Sequence, residues 1–156
     1  MTLDRIDRKL VAALMGDATQ PVSRLAERVG LSQTPCWKRI QKLQNAGIIR
    51  ARVALVDPEL VGLGLTVFVG VSAPQQDAGW HEAFAAVVDA IPEVMEAHQL
   101  AGSYDYTLRV VVRDMADFDR VRGRITSAIV IRDLTVQFAS RRVKSLSVLP
   151  IDTCSA

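Results

Sequence analysis

Residues 25–49, LAERVGLSQTPCWKRIQKLQNAGII, constrain this chain more than any other stretch, because they must turn sharply between two short helices. Leu25, Ala26 and Val29 form an apolar stripe that Gly30 interrupts, and Ser32 opens a second run. There Cys36, Ile40 and Leu43 recur at i, i+4 and i+7, which is one helical face. The opposite side carries Thr34, Lys38, Gln41 and Asn45, flanked by Trp37 and Lys42. A short helix with one apolar stripe and a hydrogen-bonding, cationic outer face suits a major groove.

The flanking residues complete a three-helix unit. Leu3, Ile6, Leu10, Ala13 and Leu14 share a face of a first amphipathic helix that ends at Gly16-Asp17. Pro21 precedes the second helix, over roughly 22–29. Ser32 is the expected N-cap of the third. Pro35 removes the donor at the third helical position, so the cap is expected to bond the N–H of Thr34 instead. Gly47 supplies a left-handed stop. These features predict a helix-turn-helix (winged-helix-like) domain over 1–49. Residues 48–57, IIRARVALVD, alternate in a way that predicts a strand leaving it, and 50–62 form a linker strand and turn.

Charge separates the two ends. Residues 1–57 hold ten Lys/Arg and five acids, a balance of +5, whereas the remainder holds nine bases and twelve acids, a balance of −3. A basic first third on a mildly acidic remainder points the N-terminal part towards a polyanion. Hydrophobic residues at 49% and charged residues at 23% fit a soluble globular protein. No run approaches the roughly 18 apolar residues of a membrane span, and MTLDRIDRKL lacks the apolar core of a signal peptide. Cys36 and Cys154 form neither a disulfide framework nor a metal spacing, which leads to the expectation of a cytoplasmic protein without metal or cofactor.

From residue 63 the period changes. A β-run over 63–72 is followed by a helix marked by Trp80, Phe84, Val87, Val88 and Ile91, then by a strand over 94–101. Gly102-Ser103-Tyr104 connects to a third strand over 105–113, with Tyr106, Leu108, Val110 and Val112 on one face. Met115, Phe118, Val121 and Ile125 mark a second helix, and 134 to about 143 a last strand. The expected fold class is therefore α+β: the helical domain plus a ferredoxin-like βαββαβ domain over 63–156 with an antiparallel sheet. Its uncovered face would carry Thr66, Phe68, Thr107, Arg109 and Val111, and Phe68 and Val111 predict that this face packs against another copy. Coverage by the chain's own linker strand is the alternative.

With these pieces in order, the chain resembles the Lrp/AsnC family, the leucine-responsive and asparagine-responsive transcriptional regulators. The resemblance rests on LDRIDRKLVAAL, LAERVGLSQTPCWKRIQKLQNAGII, LAGSYDYTLRVVVRD and FASRRVKSLSVLP, and covers residues 3 to about 150. It implies an N-terminal DNA-binding domain joined by a strand to an effector-binding, oligomerising domain. It further implies dimers formed through the sheets, often assembling to octamers, and amino acids bound between dimers near Gly102, Ser103, Tyr104 and Asp105. The region AIVIRDLTVQF departs from the family pattern, with no Pro-Gly pair before the last strand and Thr135 as its only hydroxyl.

Residue chemistry supplies the roles. Ser32, Gln33, Thr34 and Lys38 lie at the reading end of the third helix; Gln pairs bidentately with adenine, and Lys donates to guanine N7 or O6. Trp37 either packs on the sugar-phosphate backbone or shields the domain's own core. Arg39, beside the apolar stripe, makes either a phosphate contact or an intradomain salt bridge. Arg24 and Lys42 are candidate phosphate contacts. At the 102–105 turn, Gly102 is expected at positive φ and Asp105 as a turn residue. As the resemblance implies, backbone N–H groups there would receive a carboxylate, Asp105 would pair with an ammonium and Tyr104 would close the cleft. His98 and Asp105 are the only acid–base candidates, without a nucleophile or metal set, so no catalytic residue is assigned. The leading expectation is a DNA-binding regulator tuned by an amino-acid-like effector, with double-stranded DNA and itself as partners and no membrane. The alternative is an amino-acid-sensing module that regulates a protein partner without DNA.

Overall fold

The structure, a computed structural model, describes residues 3–75 and 77–151. The chain's contacts gather it into two units: one comprises Met1–Ala54 with Val143–Ala156, the other Leu55–Arg142.

The first unit contains helices α1 (Arg5–Gly16), α2 (Val22–Val29) and α3 (Gln33–Asn45). Asp4 caps α1 in a reciprocal box, its carboxylate accepting from the N–H of Asp7 at 2.7 Å while its own N–H donates to the Asp7 carboxylate. Gly30, at φ 72°, ends α2 in the left-handed region, and the N–H of Leu31 donates back to Ala26 O at 2.9 Å. Three residues later α3 begins, so this glycine sets the sharp angle of the helix-turn-helix. At its far end Gly47 is also left-handed, with the N–H groups of Gly47 and Ile48 returning to Gln44 O and Leu43 O. Leu10, Leu14, Leu25, Ile40, Leu43 and Cys36 form the core. Each large side chain so buried contributes about 1.5–3 kcal/mol.

Two expectations about this unit are corrected. Ser32 begins α3 in an extended conformation but makes no side-chain capping bond; the N–H of Cys36 to Ser32 O closes the first turn instead. The strand expected over 48–57 does not form. Residues 51–57 run exposed outside any ladder, so the described unit has no paired wing. By its contacts the end of the described chain also meets the helices. Ile151 packs against the helical core, and its carbonyl accepts from Arg8 Nη1 at 3.0 Å.

The second unit runs β1 (Leu65–Ser72), α4 (Ala78–Asp89), β2 (Val94–Gln99), β3 (Tyr106–Val112), α5 (Met115–Ala128) and β4 (Asp133–Phe138). Its strands order as β2-β3-β1-β4, with every neighbour antiparallel. This is the ferredoxin-like arrangement of an α+β protein. Val67, Val69 and Val71 of β1 and Leu108, Val110 and Val112 of β3 share a core with Phe84, Phe118, Val121 and Ile125 from the helices. Central strands rich in Val follow from this packing, since a branched side chain fits a pleated surface pressed by a helix. Strand β4 stops at Phe138 rather than near 143, because only Ala139 beyond it still bonds the ladder, donating to Thr66 O.

Candidate nucleic-acid interface and ligand turn

Helix α3 buries Cys36, Ile40 and Leu43 and leaves Gln33, Thr34, Trp37, Lys38 and Lys42 exposed. Ser32 lies exposed at its start and Arg24 exposed on α2. Trp37 is 52% exposed, so it does not shield the domain's core. An exposed indole between Thr34 and Lys38 is an apolar, flat surface within a polar row, of a kind that stacks on a sugar or a base face. Cys36 is free and buried, and burial pushes its thiol up, which leaves it an inert packing group.

Arg39 departs from this row. Its Nη1 reaches Asp4 Oδ2 at 2.5 Å and Asp7 Oδ1 at 2.8 Å, so one nitrogen bridges both carboxylates of the α1 capping box. The backbone N–H of Asp7, followed by the Arg39 guanidinium, holds the Asp4 carboxyl below its usual range. Asp7 is itself buried. Arg39 thus fastens α3 to the start of α1, the intradomain alternative of the two read from the sequence. Asp4 and Asp7 as its partners were not anticipated, although their three-residue spacing before an apolar run is a visible capping-box signal.

In the second unit Gly102 and Ser103 are exposed, while Tyr104 and Asp105 are partly buried. Gly102 does not occupy positive φ, which is confined to Gly30, Gly47 and Gly62 among the described residues. The turn is instead held through its other end. Asp105 N–H donates to Val71 O at 3.0 Å, its carbonyl accepts from Leu100, and its Oδ2 accepts from Ala73 N–H at 2.7 Å. One carboxylate oxygen therefore already ties the turn to the end of β1. The Tyr104 ring lies over Gly70, where a Cβ would stand 2.9 Å from two of its carbons. Gly70 was missed from the sequence, since a glycine within a strand pattern signals a close approach without saying of what.

The face of the sheet turned from the helices carries Phe68, 41% exposed, beside Arg109. Arg109 Nε and Nη2 both donate to Glu96 Oε1, at 3.0 and 2.7 Å, and this guanidinium, with a smaller contribution from His98, holds the Glu96 carboxyl low. Val111, expected on the uncovered face and packed against another copy, is buried within its own chain. Among the described residues no group of three or more His, Cys, Asp or Glu is placed to hold a metal ion, and no helix is long and apolar enough to cross a membrane.

Residues 3–44 match the AsnC-type helix-turn-helix domain, and residues 66–149 match the Lrp/AsnC ligand binding domain. The chain belongs to the Lrp/AsnC family. This Lrp/AsnC protein is a DNA-binding transcriptional regulator, not an enzyme, with a ligand-binding second domain. It is 43% identical over 151 residues to the DNA-binding transcriptional activator DecR of Escherichia coli strain K12, covering 96% of this chain and 99% of that one. Among solved structures it is similar to an AsnC family transcriptional regulator from Agrobacterium tumefaciens, with a TM-score of 0.91, 45% identity and coverage of 96% and 98%. A Neisseria meningitidis transcriptional regulator in complex with L-methionine aligns with a TM-score of 0.89 at 36% identity, covering 97% and 98%.

Proposed function

We propose that this regulator reads double-stranded DNA through the first two turns of α3, as a pair of chains, and that an amino acid bound at the 102–105 turn alters its assembly or its DNA affinity. The observation that carries the DNA-reading half is the division of labour on α3. One face is buried, Arg39 is spent on Asp4 and Asp7, and Ser32, Gln33, Thr34, Trp37, Lys38 and Lys42 remain exposed in a row. Gln33 and Lys38 have the donors to read adenine and guanine edges; Arg24 and Lys42 have the charge to hold phosphates. One such helix reads few bases, so specificity needs a second copy at a fixed distance.

The effector half rests on the ligand-binding domain and on the L-methionine bound in the Neisseria relative. The exposed backbone at Gly102 and Ser103 offers donors to a carboxylate, and the Asp105 carboxylate offers an opposite charge to an ammonium. Pairing through the sheet face around Phe68, with further assembly to an octamer, places such turns from neighbouring copies in reach of one ligand. The protein acts on DNA in the cytoplasm. A mobility shift with the promoter beside its own gene, with and without a panel of amino acids including L-methionine, tests both halves. Binding that an amino acid strengthens or weakens supports the reading; no shift with folded protein removes its DNA half. No change across the panel, together with silent calorimetry, removes its effector half.

A further inference from the structure

The chain enters and leaves the helical unit at two places, near residue 54 and again near residue 143. At the second crossing the last tie to the sheet is Ala139 N–H to Thr66 O at 3.0 Å. Residues 140–148 then run exposed without regular structure. The chain next meets α1: Leu149 N–H points at Met15 Sδ at 3.4 Å, Ile151 N–H folds back to Leu149 O at 2.8 Å, and Ile151 settles against the helical core. Arg8 Nη1 donates to the Ile151 carbonyl at 3.0 Å. Arg8 and Met15 are seven residues apart, two turns along one side of α1, so the tail lies along that helix.

We propose that residues 149–151 are an anchor and residues 140–148 a short tether, so that β4 is strapped to α1 and the reading helix is held by two chain segments rather than one. A domain on a single exposed linker samples many positions; closing a second, short connection removes most of them. Nine residues reach at most about 30 Å, which bounds how far the anchor can stand from the end of β4. The strap limits how far the two reading helices of a pair can shift apart, and so sets which half-site separations on DNA are accepted. The inference rests on the DNA-reading half of the proposed function.

Two full-length variants test it. Ile151→Asp releases the anchor; a Gly-Ser-Gly-Ser insertion between Ser140 and Arg141 keeps the anchor and slackens the tether. A half-site is selected from random duplexes with the unaltered protein, then presented singly and in pairs whose separation is stepped through one and a half helical turns. The unaltered protein should bind in-phase pairs about tenfold or more better than out-of-phase pairs. Both variants should lose most of that difference while binding the single half-site within about twofold of the unaltered protein. Hydrogen exchange of the α1 amides should quicken with Ile151→Asp and stay unchanged with the insertion.

If the insertion keeps the phase preference while Ile151→Asp loses it, Ile151 merely props the helical core and the tether is overturned. Unaltered phase preference in both variants, or none in the unaltered protein, overturns it equally. Unchanged α1 exchange in Ile151→Asp overturns the anchor, whatever happens on DNA. Failure of the unaltered protein to select any half-site is a different result, since it removes the DNA reading itself while the exchange measurement still judges the anchor.

Discussion

Arg39→Gln separates a residue that builds the reading surface from one that touches DNA. The substitution deletes a cation whose Nη1 lies 2.5 Å from Asp4 Oδ2 and 2.8 Å from Asp7 Oδ1. A hydrogen bond to a charged group is worth about 1.5–3 kcal/mol, and the lower end applies here. The Asp7 side chain is only 9% exposed, so its arm keeps about 1.5 kcal/mol. The Asp4 side chain is 50% exposed, and solvent screening reduces that arm to about 0.5 kcal/mol. The total, about 2 kcal/mol, corresponds to roughly 10 °C in the melting temperature of a unit this small. Circular dichroism melts of the full chain, with exchange at α1 amides to localise the loss, measure it. Arg39→Lys should recover much of the loss, because a single nitrogen does the bridging.

The pH dependence provides a second check on the same residue. The folded Asp4 carboxyl lies below its unfolded value of 3.8, so its contribution is complete above that pH and disappears as pH falls through the lowered value. The Asp4 part of the gap between the native protein and Arg39→Gln should therefore be flat from pH 7 to about 5 and be lost below 3.8. A melting temperature equal to that of the unaltered protein at pH 7, combined with weakened DNA binding, would refute this reasoning and return Arg39 to the DNA surface.

Other consequences are simpler to state. Lys38→Ala should relax base preference at one position by about 1–3 kcal/mol, whereas Lys42→Ala should weaken all sequences alike and reduce the salt slope by about 0.9; competition binding at several salt concentrations distinguishes them. Trp37→Ala should leave the melting temperature within about 2 °C, as an exposed side chain, while reducing DNA affinity, which fluorescence anisotropy reads. Gly70→Ala puts a methyl 2.9 Å from the Tyr104 ring and should cost about 1–3 kcal/mol of stability or push the ring out of place. In either case calorimetry should show weaker ligand binding than in the unaltered protein.

The helix-turn-helix was legible because its signals are local. The i, i+4, i+7 recurrence of Cys36, Ile40 and Leu43 and the positive-φ glycines at 30 and 47 are properties of adjacent turns. The βαββαβ order was legible for the same reason, since period-2 and period-3.6 runs alternate within a few residues. Where reading failed, a partner distant in the chain decided. Alternation over 48–57 and beyond Phe138 looks like strand, but a strand exists only with a neighbour to bond, and the described chain offers none there. Ser32 looked like a capping residue, yet Pro35 had removed the usual donor and the Ser32 side chain makes no cap bond.

By itself, then, the sequence determined the three helices and the βαββαβ order, the apolar face of each helix, and the family to which four ordered motifs point. Those are questions of period, turn chemistry and composition, settled within a dozen residues. Tertiary structure alone decided what the polar groups do. It drew Arg39 across 32 residues to Asp7, laid Tyr104 on Gly70, turned the Asp105 carboxylate to Ala73 and brought Ile151 back to Arg8 across 143 residues. A charged or aromatic side chain takes its role from whichever group lies within about 3–4 Å of it, and that neighbour is chosen by packing rather than by position along the chain.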